Sequence, residues 1–205
     1  AANGVVMVTT KKGKMEHLSV SISNNTTFSS PLVLPEFQNT YGNKKDAYDS
    51  WGEKLATPSN YDPKNDFFNT GTNFINSLTL TTGTKQNQTF ASISSTNSKG
   101  IVPNNAYDRL NFTIRNTATF LNDKLQLDLG ASYVKQKDRN MVSQGQYWNP
   151  VMAAYLFPRG ESFEAIKTFE TYNDGRKIPQ QNWPVADPVY ASQNPYWTAY
   201  RNVAT

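Results

Sequence analysis

Four carboxylates in the second half of the chain are the first candidates for chemistry. They are Glu161, Glu164, Glu170 and Asp174. Two carboxylates can hydrolyse a glycosidic bond when a rigid scaffold holds them at a fixed separation. These four lie in a stretch rich in Gly and Asn, where no scaffold of that kind is predicted, and no nucleophile, acid and base stand together elsewhere in the sequence. We therefore predict a solvated loop here and a protein that is not an enzyme.

Metal and thiol chemistry have little support in the sequence. His17 is the single histidine, and it stands among serines without a second ligand of the usual kind. The chain has no cysteine, which excludes disulfides, zinc ribbons and thiol nucleophiles within it. No metal site and no cofactor are predicted.

Aromatic side chains in the same half are better candidates for binding. An aromatic face can stack on a sugar ring or pack against a partner protein, and the alternative is that these rings form the small core that orders a long loop. Tyr196 is one of these aromatic residues, but it is not included in the predicted contact set. The predicted contacts with a substrate or a covering protein are Tyr147, Trp148, Trp183, Tyr190 and Trp197.

The elements that would position these loops are strands, and the clearest pair runs from Asp108 to Lys137. Apolar residues alternate with polar ones from Leu110 to Phe120 and again from Leu125 to Tyr133, which is the period of a strand. Matching the two apolar faces pairs Phe120 with Leu125, Ala118 with Leu127 and Ile114 with Ala131. Asn122 and Asp123 then form the turn, and Arg115 lies diagonal to Asp128 on the polar face.

Strand length favours a membrane setting for this hairpin. Ten steps at about 3.3 Å, tilted by about 40°, rise about 25 Å, which matches the apolar band of an outer-membrane barrel. Strands of soluble proteins are about half as long. The longest apolar run, 151–157, is too short to cross a bilayer as a helix.

Composition points the same way and away from nucleic acid. Hydrophobic residues make up 37% of the 205 residues and charged residues 18%, which suits a barrel wall with a polar lumen better than a soluble single core. The net charge is +4, and the basic residues are scattered along the chain except at Lys11, Lys12 and Lys14. A phosphate-tracking surface needs clustered cations with interleaved aromatics, so no nucleic-acid partner is predicted.

The predicted connections alternate in length along the chain. Long loops are expected at 29–72, 97–107 and 138–195, and tight turns at 84–86 and 122–123. In an up-and-down meander every second connection lies at the same end, so the long loops share one side, as they do in outer-membrane barrels.

The remaining elements are less regular in sequence. Residues 37–55 are expected to hold one or two helical turns, and residues 196–204 to begin another strand. For 87–95 a strand is predicted without a register, because Phe90 and Ile93 fall on opposite faces.

Several motifs resemble the SusC/RagA family of TonB-dependent outer-membrane transporters. AANGVVMVTTKKGK at 1–14 resembles that family's junction of plug and barrel, and GIVPNNAYDRLNFTIR at 100–115 its second extracellular loop and fourth strand. YLFPRG at 155–160 and NPYW at 194–197 are similar to parts of its third loop and the strand after it.

The resemblance implies an all-β fold, with about five to six antiparallel strands of a transmembrane barrel of about 22 strands. It assigns 1–13 to the end of a plug domain and 14–205 to the first part of the barrel, so the chain is expected to be an internal fragment. It also implies import of oligosaccharides or peptides at the bacterial outer membrane, with a SusD-like surface lipoprotein, the TonB complex and membrane lipid as partners. The alternative from the residues alone is a soluble β-sandwich that binds glycans.

Overall fold

A computed structural model describes residues 18–45, 47–142, 145, 147–173, 175–184 and 192–201. The predicted plug segment 1–13, His17, Asp174 and Tyr190 lie outside these residues. None of the described helices is long and apolar enough to cross a membrane. The chain divides into two compact units, one formed around the strands and one around the long connections, and each is treated separately below.

Five strands form one sheet in the order in which they occur in the sequence, β1-β2-β3-β4-β5. Tight turns at 84–86 and 121–124 make the neighbours they join antiparallel, as predicted for an up-and-down meander. The strands are β1 (Ser19–Ser29), β2 (Gly71–Gly83), β3 (Asn87–Lys99), β4 (Ala106–Phe120) and β5 (Leu125–Arg139).

The predicted hairpin register between β4 and β5 is confirmed. The N–H of Lys124 donates to the carbonyl of Leu121 at 3.3 Å, which leaves Asn122 and Asp123 as the central turn residues. Both have left-handed φ angles, 51° and 67°, as a two-residue hairpin turn requires. Arg115 reaches diagonally to the carboxylate of Asp128 and donates from Nε to Oδ1 at 2.8 Å.

The register of β3, which the sequence left open, follows from hydrogen bonds at both ends of its pairing with β4. Asn97 Nδ2 donates to Asp108 Oδ1 at 2.8 Å, and Thr119 N donates to Gln86 O at 2.7 Å. This pairing sets Ile93 beside Phe112 on one face and Phe90 on the other. Phe90 is 8% exposed, so this large apolar residue on the mainly polar face is buried.

The two faces of the sheet therefore differ in chemistry and in exposure. One face carries most of the large apolar residues of the five strands. Those that stay 39–81% exposed are Ile22, Phe28, Leu78, Ile93, Leu110, Phe112, Ile114, Leu125, Leu127, Leu129 and Tyr133. The opposite face carries Thr, Ser, Asn and the Arg115–Asp128 pair. A soluble sandwich buries its apolar face against a second sheet, whereas the only other sheet in the described residues is a two-stranded ribbon.

The unit formed by the long connections has its own small core. Its buried cluster consists of Phe67, Val102, Ala154, Phe157, Phe163 and Ile166. The elements around it are short: α1 (Pro63–Asp66), α2 (Pro150–Tyr155), a 3₁₀ turn (Ala165–Lys167), β6 (Glu170–Tyr172), β7 (Pro179–Gln181) and α3 (Pro195–Arg201). The prediction of one long loop over 138–195 is therefore incomplete, because this stretch contains α2, the 3₁₀ turn, β6 and β7.

Two further predictions are wrong. Residues 196–201 form the helix α3 rather than a strand, because Asn194 accepts hydrogen bonds from the N–H groups of Tyr196 and Trp197 and Pro195 occupies the first helical position. Among the described residues of 37–55 there is no helix. There the amide of Gln38 bonds to the backbone of Thr40, Tyr41 and Ser50 and holds a turn-rich loop instead.

Candidate binding surface of the long connections

The core of this unit is built from stacked aromatic rings. The rings of Tyr61 and Phe163 stack with centroids 4.2 Å apart, and Phe157 meets Phe163 edge to face at 5.1 Å. The hydroxyl of Tyr61 donates to the carbonyl of Ala154 at 2.6 Å, and burial raises its pKa. Tyr196 packs at the side of the cluster, where burial raises its pKa to about 12.

The five predicted contact residues do not behave alike. Trp183 packs against the core, with its ring centroid 5.7 Å from Phe157, and within the described residues its buried Nε1 has no hydrogen-bond partner. Tyr147 and Trp148 are 61% and 59% exposed, and Trp148 has a left-handed φ of 52°. Trp197 is half-buried on α3, and Tyr190 lies outside the described residues. No ring contact among the described residues joins Trp148 to Trp183 or Trp197.

The left-handed backbone of Trp148 is unusual for a bulky side chain. Immediately after it, Asn149 caps α2 by accepting a hydrogen bond from Val151 N at 3.0 Å, and Asn149 Nδ2 donates back to Gly145 O at 2.9 Å. Asn149 thus connects the start of α2 to Gly145, which precedes Trp148 in the chain. The exposed ring of Trp148 therefore lies next to a hydrogen-bonded helix cap.

A second aromatic surface was not selected from the sequence. Phe37, Tyr48, Trp51 and Tyr155 line a cleft of about 470 Å³. Trp51 is 71% exposed and Phe37 47%, so ring faces are available there for a flat ligand. Tyr48 and Trp51 lie far in sequence from the YLFPRG motif at 155–160, and only the folded chain brings these residues together.

Arg159 is the cation of this cleft and is 6% exposed. Its guanidinium lies 5.0 Å from the ring centre of Tyr61 and 5.8 Å from that of Phe37, and it donates to the carbonyls of Gln38 and Phe157. No carboxylate pairs with it in the part of the chain that the structure describes, and burial lowers its pKa. The cation is stabilised by ring faces and carbonyl dipoles, and it joins the loop at 37–38 to the core.

Three of the four acidic residues considered for catalysis have polar partners of their own, and Glu161 and Glu164 line one small cavity. Glu161 accepts a hydrogen bond from Asn43 at 3.2 Å, and Glu164 pairs with Lys167. Glu170 binds Tyr172 and Arg201, which hold its pKa below the usual range, with the tyrosine hydroxyl the larger cause. In the described ranges no group of three or more potential ligands that could hold a metal ion is found.

Comparison with known proteins gives one informative similarity. The chain is 27% identical over 144 residues to the TonB-dependent receptor SusC of Bacteroides thetaiotaomicron. No family model matches the chain. The matched region covers 68% of this chain and 14% of the relative, so the chain is similar to one short segment of a TonB-dependent receptor.

Proposed function

We propose that this chain is part of the wall and long loops of a SusC-like, TonB-dependent transporter in a bacterial outer membrane. The observation that carries the proposal is the exposed apolar face shared by five long antiparallel strands. Such a face is stable against lipid, while the Thr, Ser and Asn of the opposite face suit a polar lumen. The similarity to SusC supports the same reading.

The alternation of connections gives this wall a direction. The connections 84–86 and 121–124 are tight, whereas 30–70 and 100–105 are longer, and the chain beyond Arg139 is longer still. In outer-membrane barrels the tight turns face the periplasm and the long loops the outside. The ordered loop unit therefore belongs to the extracellular side in this proposal, with residues 1–13 as the end of the plug.

The loop unit is proposed to contact the imported substrate or a covering lipoprotein. Exposed rings at Tyr147 and Trp148 are suited to direct contact. Trp183, packed on the core, and Trp197, on α3, would support that surface, and Tyr190 stays in the proposal on its sequence alone. Oligosaccharides or peptides are the proposed cargo, because ring stacking serves sugars and aromatic peptide side chains alike.

The native mass of the detergent-extracted full-length protein tests this proposal. We expect a particle several times heavier than 23.0 kDa that releases a lipidated second subunit on activation, because a SusD-like lipoprotein covers the loops. Energy would come from the TonB complex, whose contacts lie in other parts of the protein. A folded protein that stays in the aqueous phase without detergent contradicts the transporter and revives the glycan-binding sandwich.

A further inference from the structure

A cleft in the loop unit is lined by two cations and by no acidic residue. It has a volume of about 390 Å³, and among its lining residues are Lys99, Arg139, Asn69, Thr70, Asn104 and Asn105. None of its lining residues is Asp or Glu. Both cations are exposed, and within the described chain neither forms a salt bridge. Two cations without a salt bridge can bind a phosphate group through charge-assisted hydrogen bonds. The amides of Asn104 and Asn105 donate to backbone carbonyls and so help to shape the cleft.

The cleft is built on secondary structure. Lys99 and Arg139 are the last residues of β3 and β5, and Ala106, which also lines the cleft, begins β4. The N–H of Gly100 donates to the carbonyl of Asn105 at 3.0 Å, and Asn105 Nδ2 donates to the carbonyl of Asn140 at 2.8 Å. Ala106 has only a methyl group, so the side chain at that strand position leaves the space open.

The position of Lys99 and Arg139 along their strands indicates what kind of molecule would carry the phosphate group. By the two-residue period of a strand, Lys99 takes the side of β3 that holds Ala91 and Ile93, and Arg139 the side of β5 that holds Leu129 and Tyr133. That is the apolar side, and both residues come at its end, next to the long connections. Cations at this level beside an apolar band meet lipid headgroups.

We infer that Lys99 and Arg139 bind a phosphate group of an anionic lipid in the leaflet on the side of the long loops. The inference rests on the proposed membrane wall and adds a partner to it. Lys135 lies on the same side of β5 and adds a positive charge there, while Lys137 on that side faces Asp108 across the β4–β5 register. The lipid would hold the wall at a fixed depth in the leaflet.

The test uses the full-length protein in lipid nanodiscs of phosphatidylcholine containing phosphorylated lipid A, followed by native mass spectrometry. For the double variant Lys99→Gln/Arg139→Gln we expect retention of the lipid to fall roughly 30-fold, about a factor of five for each cation. The matched control is Lys85→Gln/Lys124→Gln, which removes the same charge from the two tight turns and should retain lipid A as the unsubstituted protein does.

Two further arms identify the ligand. Lipid A from which the phosphate has been removed should be retained by the unsubstituted protein as weakly as by the double variant, and inorganic phosphate alone should not displace the phosphorylated lipid. Equal retention in both double variants, strong retention of phosphate-free lipid, or displacement by inorganic phosphate would overturn the inference. These failures leave the proposed function standing, since only a protein that does not enter the nanodiscs at all contradicts the wall itself.

Discussion

Asn194 shows how one buried side chain orders the long connection that follows β5. It is fully buried, its Nδ2 donates to the carbonyls of Ile166 and Asn182, both at 2.8 Å, and its Oδ1 accepts from the start of α3. Each net hydrogen bond contributes about 1 kcal/mol, and a partner left unsatisfied on burial costs more. The residue therefore connects three segments that have little apolar surface of their own.

Replacing Asn194 with Ala should open this region locally. Several buried backbone groups lose their partners, so we expect amide exchange in α3 to accelerate at least about 30-fold, which corresponds to about 2 kcal/mol. Hydrogen exchange read by mass spectrometry on the full-length protein gives the rate. Asn60→Ala is the control, because Asn60 is exposed and its loss should change exchange little. Equal amide protection of α3 in the two variants would show that Asn194 does not order this region.

At the scale of elements, the two tight turns use different backbone conformations. Asn122 and Asp123 are left-handed, and so is Leu121 with a φ of 54°, whereas Lys85 and Gln86 do not occur among the described left-handed residues. Asn and Asp enter this region at low cost, but a β-branched side chain does not. The β4–β5 register thus depends on residue type at its turn, while the β2–β3 turn accepts a wider choice.

Substitution at the turn tests this dependence. Asp123→Val should lower the free energy of unfolding by about 1–2 kcal/mol, because the left-handed backbone crowds a β-branched side chain. Asp123→Gly should stay within about 0.5 kcal/mol of the unsubstituted protein, since Gly adopts the same φ freely. Denaturant titration of the protein refolded in detergent measures both. Gln86→Val is the matched control in the other turn, and a loss there equal to that of Asp123→Val would contradict the backbone explanation.

The strands could be predicted from the sequence because one face of the sheet is apolar and the other is polar. Apolar and polar residues therefore alternate along the strands. From Leu125 to Tyr133 every odd position is apolar, and this regularity set both the strand and its register. The helices α1, α2 and α3 have four to seven residues, too few for a helical period to appear.

Those helices nevertheless carry a signal that the sequence analysis did not use. Each begins with Asp or Asn followed by Pro, at Asp62-Pro63, Asn149-Pro150 and Asn194-Pro195. An Asx side chain caps the first free N–H groups, and Pro fits the first helical position. The aromatic cleft could not be predicted in this way, because Trp51 and Arg159 meet only through the tertiary fold.

For the molecule as a whole, the decisive feature is which side of the sheet is apolar and exposed. Leu78, Ile93, Phe112 and Tyr133 come to one side from four strands, and each is 40–57% exposed. Apolar area removed from water contributes about 25 cal/mol per Å², so a face this extended is costly in water and stable in lipid. The polar opposite face has the reverse preference, as the proposed wall between lipid and a wet lumen requires.

Lipid-dependent fluorescence quenching along β5 tests this claim most directly. Single cysteines are placed at Leu127, Leu129 and Ala131 on the apolar side and at Gln126 and Ser132 on the polar side, each labelled with a fluorophore in the full-length protein reconstituted into bilayers. The chain has no cysteine of its own, so each label reports one position of β5 once any cysteine elsewhere in the protein is replaced. We predict strong quenching by nitroxide-labelled lipid at the three odd positions and weak quenching at the two even ones. Equal quenching on both sides, or none at either, would contradict the assignment of this sheet as a membrane wall.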